Sequence, residues 1–477
     1  MYGILLQNLR ALPCVLAIVL LGVSSGAAAA EPTTSREIEP SLQQKVDAAV
    51  EQILKRTGVP SVSIALVRDN RLIYSRAYGD ARLDPRMQAL SSMRYAVGSI
   101  SKEFTASALL LLQQQKRLSL DDPAGKFLDY LGPAAGVTIR QLLSHTSGVR
   151  DFWPQDYFLQ DMLQPASAAD IIKRWGAKPL DFAPGTSWQY SNTGYTIAGA
   201  IAEKVSGHRL FEQLRENIFQ PAGMTSVVDV DRGALGPEDA TGYLRYALGP
   251  LRTVRNSAPG WLFAAGGLAM TASDLARWDI ALMQHRLLSD ASLQQLTHEI
   301  VLQSGVGTSY ALGLDVQLKH GRRAVGHSGE IDGFTSSHVF YPDDGIAVVA
   351  LTNQEAVSAS GAITDQLATL LLLQKAGVGE SAIDRDRAAF IALQNGALGP
   401  SLLTANGRSY FSDQARADFK ASLGPLGAPT GFELERSGLR GGFVTRVYQV
   451  ECGGRQLEAV VRVTPDGLIE QYTVSAE

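Results

Sequence analysis

The sequence predicts a mixed α/β protein of the α+β kind, with one antiparallel sheet flanked by helices and a mainly helical subdomain beside it. Three patterns support this fold class. A helix and a hairpin open the region before residue 375, a hairpin and a helix close it, and helical patterns with Pro- and Gly-rich loops lie between them. Further strand patterns after residue 430 predict a small C-terminal α+β domain.

The first thirty residues are typical of a secretory signal. Arg10 is the only charged residue before Glu31, and an apolar run from 15 to 23 is followed by small residues that end at Ala30. A membrane anchor is the alternative, but this run is too short to span ~30 Å of hydrocarbon. We therefore expect residues 1–30 to be cleaved, the protein to be exported to the periplasm or medium, and no stable membrane span to remain.

The net charge and the cysteine content argue against a nucleic-acid partner and against a fold stabilised by disulfides. The net charge is −4 and the lysines and arginines form no basic run, so a nucleic-acid partner is not expected. Cys14 lies in the signal and would leave with it. Cys452 is then the single cysteine, and no intramolecular disulfide can form. The sequence does not indicate the oligomeric state.

The main domain is predicted to cover residues 31–375. Apolar residues at helical spacing over 42–54 predict the opening helix, and strand patterns over 61–67 and 72–77 flank a turn at Asp69-Asn70. Strands over 337–341 and 346–351 and an apolar helix over 362–373 close the domain. Both hairpins together would form one antiparallel sheet, with a cleft between the sheet and the helical insertion.

After residue 375 the composition changes. A polar stretch over 376–402 is predicted to be a linker, and residues 403–477 are predicted to form the small appendage. Its elements are a helix over 413–422 and strands over 432–436, 443–452, 457–464 and 468–474, which would form an antiparallel meander. This region contains no histidine and no constellation of reactive residues, so no catalytic role is assigned to it.

Ser99-Ile100-Ser101-Lys102 is the first motif with chemical potential. It opens an apolar helical pattern over 104–112, and residues three apart lie on one helical face. The Lys102 amine can therefore reach the Ser99 hydroxyl. Burial at the start of a helix disfavours the ammonium form, and a neutral amine can take the serine proton. The Ser99 N–H is also available to an oxyanion. Alone, the motif is more typical of a serine that caps a helix.

Tyr190-Ser191-Asn192 is the second motif. A tyrosine with an ordinary pKa of about 10 acts as a base only where cations stabilise its phenolate, and Lys102 could supply that charge. The Asn192 amide could hold Lys102 or a substrate carbonyl. A polar surface loop is the alternative interpretation of these residues.

His327-Ser328-Gly329 is the third motif, and it lies just before Glu330 and a strand pattern over 335–341. An edge strand there could bind an extended acyl substrate through its backbone, and Gly329 would let the substrate approach without a Cβ in the way. The alternative is a glycine-rich strand start with a hydrogen-bonded histidine.

Ser-x-x-Lys, then Tyr-x-Asn, then a small-residue triplet before a late strand, in this order, resembles the penicillin-recognising serine hydrolases. The resemblance covers about residues 46–373 and includes the stretches 142–148, 182–195 and 265–268. That family contains Tyr-containing class C β-lactamases, D-Ala-D-Ala carboxypeptidases, D-aminopeptidases and esterases. It implies a β-lactamase/transpeptidase-like fold, a small-molecule or peptide-like acyl substrate, and no cofactor or metal.

The resemblance also implies roles for individual residues. Ser99 would be the acylated nucleophile, and Lys102 and Tyr190 would share the general base and acid roles. Asn192 would orient them, the backbone N–H groups of Ser99 and Glu330 would form the oxyanion hole, and the 327–329 triplet would bind substrate.

One departure from the family pattern affects the expected substrate. β-Lactamases of this family usually have Lys-Thr-Gly or Lys-Ser-Gly where this chain has His327-Ser328-Gly329. A neutral histidine supplies no fixed positive charge for a substrate carboxylate. We therefore expect an exported esterase or D-amino-acid peptidase, with a β-lactamase or carboxypeptidase as the alternative enzyme. A catalytically silent sensor or scaffold is the alternative of another class.

Two other chemistries are excluded by the sequence. Gly326-His327-Ser328-Gly329-Glu330 resembles a nucleophile elbow, but its fifth residue is not glycine and a strand pattern follows where that fold needs a helix. Metal catalysis is not expected, because the histidines are scattered and His298-Glu299 has no second histidine four residues on.

Overall fold

The computed structural model describes residues 38–155, 159–320, 322–375, 380–465 and 467–476. The predicted signal over 1–30 lies outside the described residues. Within the described ranges, no helix combines the length and the apolar character that crossing a membrane requires.

The strands of the described residues are β1 Ser61–Arg68, β2 Arg71–Leu83, β3 Arg86–Gln88, β4 Tyr95–Ala96, β5 Val228–Asp229, β6 Tyr243–Arg245, β7 Leu251–Thr253, β8 Leu268–Met270, β9 Asp315–Lys319, β10 Arg322–Ile331, β11 Phe334–Tyr341, β12 Ile346–Thr352, β13 Gly431–Arg440, β14 Phe443–Cys452, β15 Arg455–Val463 and β16 Ile469–Ala476.

The α-helices of the same residues are α1 Pro40–Thr57, α2 Ser101–Gln114, α3 Ile139–Leu143, α4 Ala168–Ile171, α5 Asn192–Ser206, α6 Leu210–Leu214, α7 Gln220–Ala222, α8 Phe263–Gly266, α9 Ala272–Met283, α10 Asp290–Thr297, α11 Ala359–Lys375, α12 Glu380–Gln394, α13 Ala405–Tyr410 and α14 Asp413–Leu423.

The main sheet has the order β3-β2-β1-β12-β11-β10-β9 and is antiparallel throughout. The predicted N-terminal and C-terminal hairpins meet at its centre, where Ile64 lies opposite Ala350. The prediction of one sheet assembled from both ends of the domain is therefore confirmed.

Helices cover both faces of this sheet. Val46 and Val50 of α1 and Leu367 of α11 pack on one face with Ile64 of β1, and Phe104 of α2 belongs to the core on the other face. Every residue of β12 is buried, which explains its unbroken apolar sequence. The helical insertion lies on the α2 face, so a cleft forms between it and β10.

The C-terminal meander has the order β13-β14-β15-β16, as predicted. Helix α12, however, falls inside the predicted linker 376–402. Its Phe390 and Leu393 belong to the core beneath the meander, and its Asp386 forms a buried ion pair with Arg446 of β14. A segment with that apolar face is part of the domain that it packs against. We therefore propose that the second domain begins at Glu380, not at 403.

Candidate active site

The Ser99 side chain lies at the start of α2, on the 3₁₀ turn Gly98–Ile100 that precedes this helix. Lys102 is one helical turn further on, and its Nζ atom lies 3.0 Å from Ser99 Oγ. Ser99 is half-buried, whereas the Lys102 side chain is completely buried. The sequence spacing predicted this contact, and the structure shows it.

The Lys102 amine has two further partners. Nζ lies 2.8 Å from Asn192 Oδ1 and 2.8 Å from the backbone oxygen of Ala265, at the end of α8. Burial lowers the pKa of Lys102 from 10.5 to about 7, while the charge of Asp151 raises it and offsets part of this effect. At neutral pH a large fraction of these amines is therefore uncharged.

The Asn192 side chain is held in one orientation by Asp151. Asn192 Nδ2 donates to Asp151 Oδ2 at 3.2 Å, and the Asn192 backbone N–H donates to Oδ1 at 2.9 Å. A carboxylate only accepts hydrogen bonds, so the amide nitrogen must face Asp151 and the amide oxygen must face Lys102. Ser191 caps α5 by accepting a hydrogen bond from Gly194, which places Asn192 at the first position of that helix.

Tyr190 approaches Ser99 from the other side of the cleft. Its ring centroid lies 4.8 Å from Lys102 Nζ, the atom that contacts Ser99 Oγ. Burial raises the pKa of Tyr190, so the phenol keeps its proton at neutral pH. His145 stacks on this ring with centroids 4.2 Å apart, and its Nδ1 accepts a hydrogen bond from the Ser191 backbone N–H at 3.1 Å.

The 327–329 triplet lies within β10. The strand pattern predicted over 335–341 belongs to the next strand, β11. Strand β9 pairs with β10 only as far as Gly326, so the rest of this edge carries no strand among the described residues. Residues 327–331 thus lie on the unpaired part of this edge, beside Ser99. The backbone of an extended substrate could pair with β10 there.

Close packing joins β10 to the turn of Ser99. Gly98 has φ +53°, and a Cβ on it would lie 2.8 Å from the Glu330 nitrogen. A Cβ on Gly329 would lie 1.9 Å from the Val97 oxygen. Close packing against the Val97 backbone therefore requires glycine at 329, and the expected role of Gly329 toward substrate stays a prediction. Ser99 and Glu330 line the same cavity, as an oxyanion hole made from their backbones requires.

His327 points away from solvent. Its side chain is buried, and Nε2 lies 2.9 Å from the Tyr310 hydroxyl, while Nδ1 faces the backbone oxygen of Ser328. Nδ1 must donate to that carbonyl, which can only accept, so in the neutral ring Nε2 accepts from the Tyr310 hydroxyl. Burial, and to a smaller extent the charge of Lys102, lower the pKa of His327 to about 3.

Four contributors to this site were not singled out as site residues from the sequence: Ala265, His145, Asp151 and Tyr310. Ala265 and His145 fall in stretches that carry the family resemblance, so that signal pointed to their neighbourhood. Asp151 and Tyr310 lie in no motif. Each contributes through a contact with a residue elsewhere in the chain, Asn192 and His327 respectively, which sequence spacing does not indicate.

Comparisons with known proteins show the family of this chain. A sequence model of the Beta-lactamase family matches residues 46–373. Penicillin-binding protein 4* of Bacillus subtilis (strain 168) is 30% identical over 302 residues, which are 60% of this chain and 66% of that protein. A D-aminopeptidase of Brucella anthropi is 28% identical over 310 residues, 62% of this chain and 56% of that protein. The match thus spans less than two thirds of either relative.

Among solved structures, a D-stereospecific amidohydrolase from Streptomyces sp. superimposes with a TM-score of 0.58 and 29% identity, covering 66% of this chain and 96% of that one. The family model's match over 46–373 contains most of α1, the main sheet and the residues of the cleft. The chain therefore belongs to the beta-lactamase family, that of the penicillin-recognising serine hydrolases.

Proposed function

We propose that this protein is an exported hydrolase that cleaves ester or amide bonds through a covalent acyl-enzyme on Ser99, of the esterase or D-amino-acid peptidase type. The observation that carries the proposal is the hydrogen-bond inventory of Lys102. A neutral amine has two N–H donors and one lone pair. Two of its three partners, Asn192 Oδ1 and the Ala265 oxygen, can only accept, and the third is the Ser99 hydroxyl, which can donate.

In the acylation step, Ser99 Oγ bonds to the substrate carbonyl carbon while its proton passes to the lone pair of Lys102. The charge that develops on the carbonyl oxygen would be stabilised by the N–H groups of Ser99 and Glu330, and one such donor is typically worth ~10²–10³ in rate. The bond to the leaving group then breaks, and water later hydrolyses the acyl-enzyme to regenerate the Ser99 hydroxyl.

Tyr190 fits the role of the acid that protonates the leaving group. Its burial keeps the phenol protonated at the pH where Lys102 is largely neutral, so the two groups hold opposite protonation states in the free enzyme. A pair whose pKa values are pushed apart in this way divides the base and acid roles. Lys102 is accordingly the base, and Tyr190 the acid.

The environment of His327 supports substrates without a carboxylate at this position. A buried neutral ring, engaged by Tyr310, offers no positive charge to a carboxylate group. Similarity to a D-aminopeptidase and a D-stereospecific amidohydrolase points to the same branch. A β-lactamase or D-Ala-D-Ala carboxypeptidase is the second candidate, favoured by the similarity to a penicillin-binding protein.

Mass spectrometry after exposure to a fluorophosphonate tests the acyl-enzyme. We expect one adduct on Ser99 in the wild-type protein and none in Ser99→Ala, with both proteins folded to the same degree by circular dichroism. A wild-type protein that forms no adduct would instead be the silent sensor or scaffold.

A panel of p-nitrophenyl esters, D-aminoacyl amides and nitrocefin separates the enzyme classes. We expect measurable ester or D-amide hydrolysis and slow or absent nitrocefin turnover. Rapid nitrocefin turnover would favour the second candidate. Export is tested by N-terminal sequencing of the protein recovered outside the cytoplasm, for which we expect the chain to begin at Glu31.

A further inference from the structure

A cavity of about 150 Å³ opens beside Ser99, and its walls are mostly apolar. We call it the aromatic pocket; outside Ser99 and Asn192, its lining includes Phe152, Trp153, Trp261, Leu262 and Ile331, together with the polar side chains of Gln155 and Glu330. A cavity of about this volume is large enough to hold benzene. The aromatic pocket therefore has room for one phenyl-sized group.

The walls of the aromatic pocket are held in place without a ligand. The ring centroids of Phe152 and Trp261 are 5.7 Å apart, and Trp175 packs behind both at 6.0 and 5.9 Å. The indole N–H of Trp261 donates to the Gln164 oxygen at 2.8 Å. One carboxylate oxygen of Asp231 accepts from the backbone N–H groups on either side of Trp261, at 2.9 and 2.8 Å. A pre-formed wall lowers the cost of ordering on binding.

The charge of the lining selects against anionic groups. Among the described residues that line the aromatic pocket, Glu330 is the only one with an ionisable side chain, and its Oε1 accepts from the Ala356 backbone N–H at 2.7 Å. No lysine or arginine of the described chain contributes to this lining. A carboxylate placed there would lose its hydration without gaining a cation.

The position of the aromatic pocket indicates which part of the substrate enters it. Asn192 and Ala265 are in its wall, whereas Tyr190, the proposed acid for the leaving group, is not. The leaving group must lie on the Tyr190 side, so the acyl group extends to the opposite side. Building on the proposed function, we propose that this enzyme selects substrates whose acyl side chain is an uncharged phenyl-sized apolar group, and that the aromatic pocket is the specificity site.

Two esters with the same leaving group test this selectivity. After division by their alkaline hydrolysis rates, kcat/KM for p-nitrophenyl phenylacetate should exceed that for p-nitrophenyl acetate by about tenfold or more, since a single methylene can be worth ~10–200-fold in an apolar pocket. Trp153→Ala should reduce this ratio about fivefold or more. Trp153 is half-buried, so its removal is compatible with folding.

Phe211→Ala is the matched control, because Phe211 is also a half-buried aromatic residue but packs against Phe219, away from this lining. It should leave the ratio unchanged. A wild-type ratio near one, or a ratio unaffected by Trp153→Ala, would overturn the pocket assignment while leaving the acyl-enzyme proposal in place.

Binding to the Ser99→Ala variant gives a readout that does not need hydrolysis. By isothermal titration, phenylacetamide should bind about tenfold or more tightly than either acetamide or 4-carboxyphenylacetamide, and Trp153→Ala should remove that difference. Equal affinities would overturn the pocket assignment. Preferential phenylacetamide binding together with no ester hydrolysis and no Ser99 adduct would support the pocket and overturn the proposed function.

Discussion

Replacing Lys102 by methionine tests whether the buried amine is neutral in the folded protein. Methionine fills similar space without a charge, and acylation should be lost with it. The stability measurement is more specific, because a lysine whose pKa is lowered from 10.5 to about 7 by folding makes stability depend on pH. Between these two pKa values the unfolded chain binds the proton that the folded protein has released.

The sign follows from that difference in bound protons. Because the unfolded state binds more protons, the free energy of unfolding of the wild type rises with pH from about 7 to 10.5. Each pH unit contributes about 1.4 kcal/mol at most. Between pH 7.5 and 9.5 the contribution is about 2.5 kcal/mol. It falls short of the maximum because the folded state still binds some protons at pH 7.5 and the unfolded state has released some at pH 9.5. Lys102→Met removes this contribution.

The assay is urea-induced unfolding at pH 7.5, 8.5 and 9.5, followed by intrinsic fluorescence. The difference in unfolding free energy between the wild type and Lys102→Met should change by about 2.5 kcal/mol over this range, in favour of the wild type at high pH. Lys204→Met is the control, because Lys204 is exposed on α5, and its curve should run parallel to the wild type. Parallel curves for Lys102→Met would mean that Lys102 is an ammonium ion at pH 7.5 and cannot take the Ser99 proton.

Three further predictions follow from neighbouring contacts. Tyr190→Phe should slow the hydrolysis of amides by about 10²–10⁴-fold but that of p-nitrophenyl esters much less, because only the amine leaving group needs a proton. Equal losses of rate for amides and esters, measured in stopped assays, would contradict the role of Tyr190 as the acid. Asp151→Asn removes a charge that raises the pKa of Lys102, so the lower limb of the pH profile of kcat/KM should move to lower pH, and an unmoved limb would exclude this coupling. Asp386→Ala should destabilise the C-terminal domain by about 3–5 kcal/mol in thermal unfolding, because Arg446 is left buried and unpaired; it should leave ester hydrolysis intact, and a loss of hydrolysis would show that the two domains depend on each other.

Family and fold could be predicted from local patterns in the chain. Ser99 and Lys102 are one helical turn apart, so their contact follows from helix geometry alone, and short apolar runs bounded by turn residues predict which segments form strands. The two hairpins and the helices beside them were predicted for the same physical reason, because the local pattern of apolar residues in each element indicates its type. The linker over 376–402 was predicted from its polar composition, whereas the apolar face of α12 becomes meaningful only against the meander that covers it.

Only the tertiary structure could decide the protonation states and the walls of the cleft. The pKa of Lys102 depends on complete burial and on Asp151, while the pKa of His327 is lowered by burial and by Lys102, and neither charged partner is near in sequence. The packing of Gly329 against Val97 was not predicted, because the contact between β10 and the segment before Ser99 cannot be read from either segment alone. Sequence thus determined which reactive groups are present and which lie within one turn of each other. Desolvation and long-range contacts, which exist only in the folded chain, decided what those groups can do.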